Sequence, residues 1–171
     1  MCGRYHLVLD DKPFAKKIKA KAQRISLSFK EGEIFPGDEV LVFAPKDDGT
    51  IDITSKTWGI KDKHLIINTR VENLHAPYWQ RLVDKRCAII ADTFYEWKDK
   101  VKYAISQDKI FYLAAIYDED DHLSIITEAS YNDLKEIHER TPVILNEGEM
   151  LEYLFKGSLR HKMKAMQIKK A

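Results

Sequence analysis

Hydrophobic positions recur along this chain in short runs, most of them alternating as strands do. Tyr5 to Leu9 reads as the first strand. The period changes over Lys12 to Gln23, where Phe14, Ile18 and Ala22 fall on one face and predict a helix. Glu39 to Phe43 and Ile51 to Thr57 then flank the turn signal Lys46-Asp47-Asp48-Gly49 and predict a strand pair. His64 to Asn68 is a short apolar strand ending in polar residues. Pro77 to Leu82 predicts a short helix running into a strand over Cys87 to Ala91. Tyr103 to Ser106 and Ile110 to Ile116 predict a further hairpin, with Leu123 to Thr127 following as a strand. Ser130 and Asp133 have capping spacing, which predicts a helix reaching Glu139. Pro142 then forces an extended exit through Val143-Ile144-Leu145. Asn146-Glu147-Gly148 reads as a turn, and residues 149–155 as helical. Many short strands with few helices between them predict an α+β fold. The expected architecture is a single domain over residues 1–171, with a curled, mostly antiparallel or mixed β-sheet, barrel-like, flanked by short helices.

Composition narrows the class without naming a chemistry. At 171 residues, with 44% hydrophobic and 32% charged positions, the chain suits one globular domain with a real core. No apolar run approaches the roughly 20 residues of a membrane span, and the first residues lack the apolar core of a secretory signal. A cytoplasmic monomer is therefore expected. Two cysteines cannot build a disulfide framework or, alone, a zinc site, so no metal or cofactor is expected. Cys87 lies in the apolar run Cys87-Ala88-Ile89-Ile90-Ala91 and reads as a core thiol. The net charge of +1 is uninformative, but its distribution is uneven. Residues 12–24 carry Lys12, Lys16, Lys17, Lys19, Lys21 and Arg24, and the tail from Lys156 onward adds Arg160, Lys162, Lys164, Lys169 and Lys170, with no acid in either segment. Such segments can contact phosphates, though a solvated helix face is the commoner explanation.

Four separated segments carry candidate chemistry. In Cys2-Gly3-Arg4-Tyr5, removal of Met1 would leave Cys2 with a free α-amine and a thiol on adjacent carbons. Such a 1,2-aminothiol condenses with an aldehyde to a Schiff base, and the thiol then closes a thiazolidine. An α-amine of pKa roughly 8 is partly neutral near pH 7, whereas a lysine, near 10.4, is not. In Ile67-Asn68-Thr69-Arg70-Val71-Glu72, the Asn68 amide can fix an amine and Arg70 a phosphate, unless Arg70 simply pairs with Glu72. In Ala91-Asp92-Thr93-Phe94-Tyr95-Glu96-Trp97, Glu96 is either a desolvated general acid/base or a carboxylate pointing to water. In His138-Glu139-Arg140-Thr141-Pro142, His138 can shuttle protons or cap a helix, and Arg140 can reach a phosphate.

Together these segments resemble the SOS-response-associated peptidase (SRAP) family of abasic-site processing proteins. That family opens with Met-Cys-Gly-Arg, then has Asn-Ala-Arg-x-Glu, Ala-Asp-Gly-Phe-Tyr-Glu-Trp and His-x-Arg-Met-Pro-Val-Ile-Leu. All four occur here in order over residues 1–145, with Thr69, Thr93 and Thr141 as deviations. The resemblance implies a covalent thiazolidine crosslink between Cys2 and the aldehyde of an abasic site in single-stranded DNA. It implies Asn68 orienting the amine, Glu96 as general acid/base and His138 handling protons on the sugar. It also implies DNA contacts from Arg70, Arg140 and Arg4, with Trp58 either stacking on a base or serving as core.

The match has departures. The family's Asn-x-Ala-Pro segment is here Glu33-Ile34-Phe35-Pro36, keeping only Pro36 as a DNA-surface candidate. The stretch after Trp58 is short, and the basic segment 156–171 matches no motif, where most members continue with an Asn- and Pro-containing segment. Two other readings stand beside aldehyde capture. One is a cysteine peptidase built on Cys2, His138 and Asn68; the other is a non-covalent single-stranded nucleic-acid-binding module. AP-lyase activity through the Schiff base is a secondary expectation.

Overall fold

The computed structural model describes residues 1–171. The chain runs β1 (Tyr5–Leu7), α1 (Pro13–Arg24), β2 (Gly32–Ile34), β3 (Glu39–Pro45), β4 (Ile51–Trp58), β5 (Ile60–Lys61), β6 (Leu65–Ile66) and β7 (Asn68–Arg70). It continues through α2 (Pro77–Gln80), β8 (Arg86–Lys98), β9 (Val101–Tyr117), β10 (His122–Ala129), β11 (Arg140–Pro142), β12 (Ile144–Leu145), α3 (Glu147–Lys156) and β13 (Gln167–Lys170). Eleven strands share one mixed sheet, and β5–β6 form a separate pair.

The sheet closes on itself through β3, β4, β10, β9 and β8, each hydrogen-bonded to the next and β8 back to β3. It is a ring rather than a regular barrel. Strand β10 runs parallel to both β4 and β7, while the other pairings are antiparallel. Closure explains the continuous apolar run in β8: Cys87 to Ala91 are all fully buried, as a strand covered on both faces requires. Cys87 is thus a core thiol. Helix α1 covers part of this core with Ala15, Ile18 and Ala22. Phe14, expected on that face, is 38% exposed, and Ala15 takes its place in the buried stripe beside Ile18 and Ala22.

Four local expectations are corrected. Residues 101–117 form one long strand, not a hairpin, and the hairpin partner of β9 is β8 through the turn Asp99-Lys100. The polar triplet Gln107-Asp108-Lys109 is instead a bulge: Ala91 faces Phe111 and Thr93 faces Ser106, so residues 107–110 of β9 stand against Asp92 alone. The helix expected from Ser130 is only a 3-10 turn over Asn132–Glu136, without a side-chain cap. Asn146, expected in a turn, caps α3. Its side chain accepts from the Glu149 backbone N–H at 2.8 Å, and the Glu149 carboxylate accepts from the Asn146 N–H at 2.9 Å. The expected single strand at 64–68 is divided between β6 and β7.

The tail from residue 156 is not loose. Strand β13 adds antiparallel to β9. The stretch before it is clasped by two carboxylates: His161 meets Glu128 at 2.9 Å, and Lys164 and the Lys162 N–H meet Glu149 at 2.7 and 2.6 Å.

Candidate active site at the N-terminus

Strand β1 lies between β2 and β8, with Tyr5 opposite Phe94 and His6 opposite Thr93. Carried outward along both strands, this register sets Gly3 against Glu96. Alternation in β8 sends Phe94 and Glu96 inward, each at most 3% exposed, and Trp97 outward. Of the two readings of Glu96, the structure realises the desolvated one.

Strand β10 gathers the other segments. It holds β7 on one side, Asn68 opposite Ile125 and Arg70 opposite Thr127, and β11 on the other, Arg140 opposite Ala129. His138 follows the 3-10 turn, and its backbone N–H donates to the Leu134 carbonyl at 3.1 Å. The α-amine of Met1 lies 3.1 Å from Glu96 Oε1 and 2.8 Å from His138 Nε2. Residues 95 and 137 positions from Met1 are thus brought to its amine by strand pairing. The Cys2 side chain is fully buried, and its thiol contacts only the Arg4 carbonyl, at 3.9 Å.

Burial sets the protonation of this group. It pushes the Glu96 carboxyl up to about 7, against the opposing pull of the neighbouring amine. Burial and that amine lower His138 below the usual imidazole value. The Arg140 backbone N–H donates to His138 Nδ1 at 3.0 Å, which anchors the ring beside the amine. Burial, reinforced by Glu96, pushes the Cys2 thiol up to about 12. An amine beside a carboxyl poised near neutrality can exchange protons readily, whereas this thiol stays protonated until something engages it.

Asn68 donates its amide N–H to the Ile67 carbonyl at 2.9 Å, and its Oδ1 is buried without a partner. Cys2, His138 and Asn68 share no hydrogen bond, so the structure does not assemble the Cys-His-Asn triad of the peptidase reading.

The candidate DNA residues divide. Arg70 is exposed and free of any carboxylate, so it does not pair with Glu72. Glu72 instead accepts both guanidinium nitrogens of Arg140, at 3.0 and 2.9 Å, and Arg140 also donates to the Thr127 carbonyl at 2.8 Å. Arg140 is therefore committed internally, and the last residue of the second motif orients the arginine of the fourth. Arg4 donates to Glu33 at 2.9 Å. Pro36 sits in a turn, the Phe35 N–H bonded to Asp38 Oδ2 at 2.8 Å and the Gly37 N–H to the Trp58 carbonyl at 2.7 Å. Trp58 is corrected to core: it is 0% exposed, packs on Tyr5 at 5.5 Å and donates its indole N–H to the Ile67 carbonyl at 3.0 Å. It has no face to offer a base. Behind it, Gly59 at φ +120° has no room for a side chain, since a Cβ would lie 2.7 Å from Leu65.

The three motif deviations are accommodated locally. Thr69 bonds Ser124 hydroxyl to hydroxyl at 2.8 Å inside the core, Thr141 donates to the Pro142 carbonyl at 3.2 Å, and Thr93 is partly exposed on β8. Sequence reasoning missed Glu72 as the partner of Arg140. It also missed the surface beside the site formed by Phe35, Trp97 and Lys102. Only the outward parity of Trp97 relative to Glu96 could have signalled that surface.

Comparison with known proteins supplies a family. The family model described as SOS response associated peptidase (SRAP) matches residues 1–170. Abasic site processing protein YoaM of Bacillus subtilis is 30% identical over 184 residues, covering 90% of this chain and 79% of its own. Abasic site processing protein YedK of Escherichia coli is 30% identical over 71% of this chain and 63% of its own. A phage-related protein of Bordetella bronchiseptica shares the fold with a TM-score of 0.76 at 21% identity, over 99% of this chain and 94% of that one.

Proposed function

Because the chain belongs to the SRAP family, we propose that it processes abasic sites in DNA by capturing the sugar aldehyde on the amine and thiol of a processed Cys2. The observation that carries this reading is the N-terminal amine seated between a buried carboxyl poised near neutrality and a neutral imidazole. Removing Met1 transfers the free amine to the residue that also owns the thiol.

The order of events follows from the protonation states. The neutral amine attacks the open-chain aldehyde and forms the carbon–nitrogen bond. Glu96 delivers a proton to the departing oxygen, water leaves, and a Schiff base remains. The protonated, buried thiol is a poor first nucleophile. It adds next across the C=N bond, its sulfur bonding to the former aldehyde carbon while the proton passes to nitrogen. The product is protein plus DNA minus one water. Asn68 Oδ1, an unclaimed buried acceptor, holds the amine, and His138 moves protons on the sugar during ring opening. Single-stranded DNA suits the chemistry because the ring-opened sugar must leave any stack to reach a buried thiol. Arg70 is the free cation for a flanking phosphate, and Arg140 serves it only if Glu72 yields.

Intact-mass spectrometry of protein confirmed to start at Cys2, incubated with an oligonucleotide carrying one abasic site, tests this. The expected product has the mass of both partners less one water, is absent with intact DNA and is lost in Cys2→Ala. Cys2→Ser retains the amine and yields only a Schiff base that borohydride must trap. Absence of any adduct from correctly processed wild-type protein would overturn the reading.

A further inference from the structure

Away from the aminothiol site the structure holds a cleft of about 970 Å³, within the usual range for small-molecule sites. None of Cys2, Asn68, Glu96 and His138 lines it. Its walls come from three places in the chain. The bulge of β9 forms one, the segment from the end of β1 into α1 forms the second, and Asn146-Glu147-Gly148 at the start of α3 forms the third. The bulge is fixed in place: Gln167 of β13 donates to the Asp108 carboxylate at 3.2 Å, and Lys12 Nζ donates to the Asp108 carbonyl at 3.5 Å. Tyr112 lines the cleft at 3% exposure, and no group of the chain hydrogen-bonds its hydroxyl. Buried phenols ordinarily find a partner, and here it must come from the cleft. Burial and the nearby Glu147 carboxylate raise this phenol above its usual value, so it stays neutral, able to donate or accept.

Charge says what kind of ligand fits. Four carboxylates, Asp10, Asp92, Asp108 and Glu147, line the cleft against two ammonium groups, Lys12 and Lys109. Asp92 is occupied by His6 at 2.7 Å and the Val8 N–H at 2.8 Å, and Asp10 by the Lys12 N–H at 2.9 Å, with Lys12 Nζ at 3.7 Å. The Asp108 carboxylate meets only the neutral Gln167 amide, and the Glu147 side chain meets no partner. Even with Lys109 turned inward, at least one negative charge is left over. The lining also exposes apolar surface, Phe14 at 38% and Val8 at 47%. We infer that this cleft binds an organic cation with an apolar body, of the aliphatic polyamine class. The methylene chain lies on Phe14 and Val8, one ammonium group meets Asp108 and another meets Glu147, and the Tyr112 hydroxyl accepts from the latter. An ammonium group over the Phe14 ring gains further attraction. A nucleic-acid phosphate is repelled by the same charge balance. A bare divalent ion finds no group of three metal-ligating side chains and leaves the apolar wall unused. Occupancy joins the α1 segment, the β9 bulge and the start of α3, so it stabilises the fold without touching the reacting amine.

Titration of spermidine into isotopically labelled full-length protein, followed by amide chemical shifts, tests the assignment. Shifts should saturate, fit a single site and cluster at residues 8–14, 106–110 and 146–148, and spermidine should raise the melting temperature. Tyr112→Phe keeps the ring and removes only the hydroxyl. It should weaken spermidine binding by about tenfold, the usual worth of a hydrogen bond to a charged group. Glu147→Gln, at the exposed rim, should weaken it by about threefold, as for an exposed ion pair. Thermal melts without ligand confirm that both variants fold, and Glu147→Gln still decides if Tyr112→Phe does not. An aliphatic diol of matching length, which has the chain without the charges, should give no saturable shifts. Magnesium should not reproduce the spermidine pattern. Shifts that fail to saturate at millimolar spermidine, that spread over the acidic surface, or that magnesium reproduces would overturn the site. So would wild-type affinity in both variants.

Discussion

Holding Glu96 at 3% exposure raises its carboxyl to about 7, and that shift has a signature in stability as well as in reactivity. The folded protein binds this proton more tightly than the unfolded chain does. Its contribution is therefore complete below pH 4.5 and is lost as pH rises through about 7, a difference on the order of 3 kcal/mol. Glu96→Gln removes the ionisation without changing the shape. We expect its melting temperature to exceed wild type at pH 8 and to match it near pH 4.5, read by circular dichroism. The same variant should slow adduct formation by about a hundredfold or more, the usual worth of a positioned acid/base. A slower reaction without the pH-dependent gain in stability would mean that Glu96 is solvated and does not carry a shifted proton. At this scale the chain was readable in part. Motifs nominated Cys2, Asn68, Glu96 and His138, but whether Glu96 pointed inward was undecided from alternation, because either face of β8 holds aromatics. Trp58 could not be sorted between core and base, since an indole suits both.

Elements show which local signals deceive. Gln107-Asp108-Lys109 looks like a turn because it is polar, yet it is a bulge in a continuous strand, and polarity alone cannot distinguish the two. The true turn, Asp99-Lys100, lacks glycine, and both residues take positive φ, 50° and 66°. Replacing Asp99-Lys100 with Asn-Gly supplies residues that tolerate this geometry. We expect a gain of about 1 kcal/mol, seen as a higher urea midpoint with unchanged denaturant slope. The capping box of α3 was misread as a turn because Asn-x-Gly is a turn signal, though Asn146 and Glu149 have cap spacing. The C-terminal segment carries a second pH dependence, of known sign. Its bond to Glu128 raises His161, so the stabilisation is full below pH 6.5 and fades as pH climbs through the elevated value. His161→Ala should therefore lower the melting temperature more at pH 5.5 than at pH 8.5. Equal losses at both would show that the ring contributes packing alone.

Over the whole molecule, the α+β class and a curled, barrel-like mixed sheet were legible from many short apolar runs, whereas the pairings that close the ring were not. Closure depends on β10 lying parallel to β4 and β9 pairing on both edges, contacts between distant residues that no local period encodes. That residues 96 and 138 meet the N-terminal amine was foreseeable only because four motifs occur together. The strand that carries Cys2 is held between β2 and β8, so residues added ahead of it must pass the Glu96–His138 pair. A protein bearing an uncleavable N-terminal tag should melt as a folded domain yet give no adduct on a denaturing gel, while a C-terminal tag should leave the adduct intact. Adduct from the N-terminally tagged protein would point to a lysine instead. The same placement bears on synthesis. The residues made first acquire Glu96 only when β8 has emerged, and His138 only after some forty more residues. A nascent chain therefore carries an ordinary, unassisted terminus until the residues of β8 and His138 have both been made.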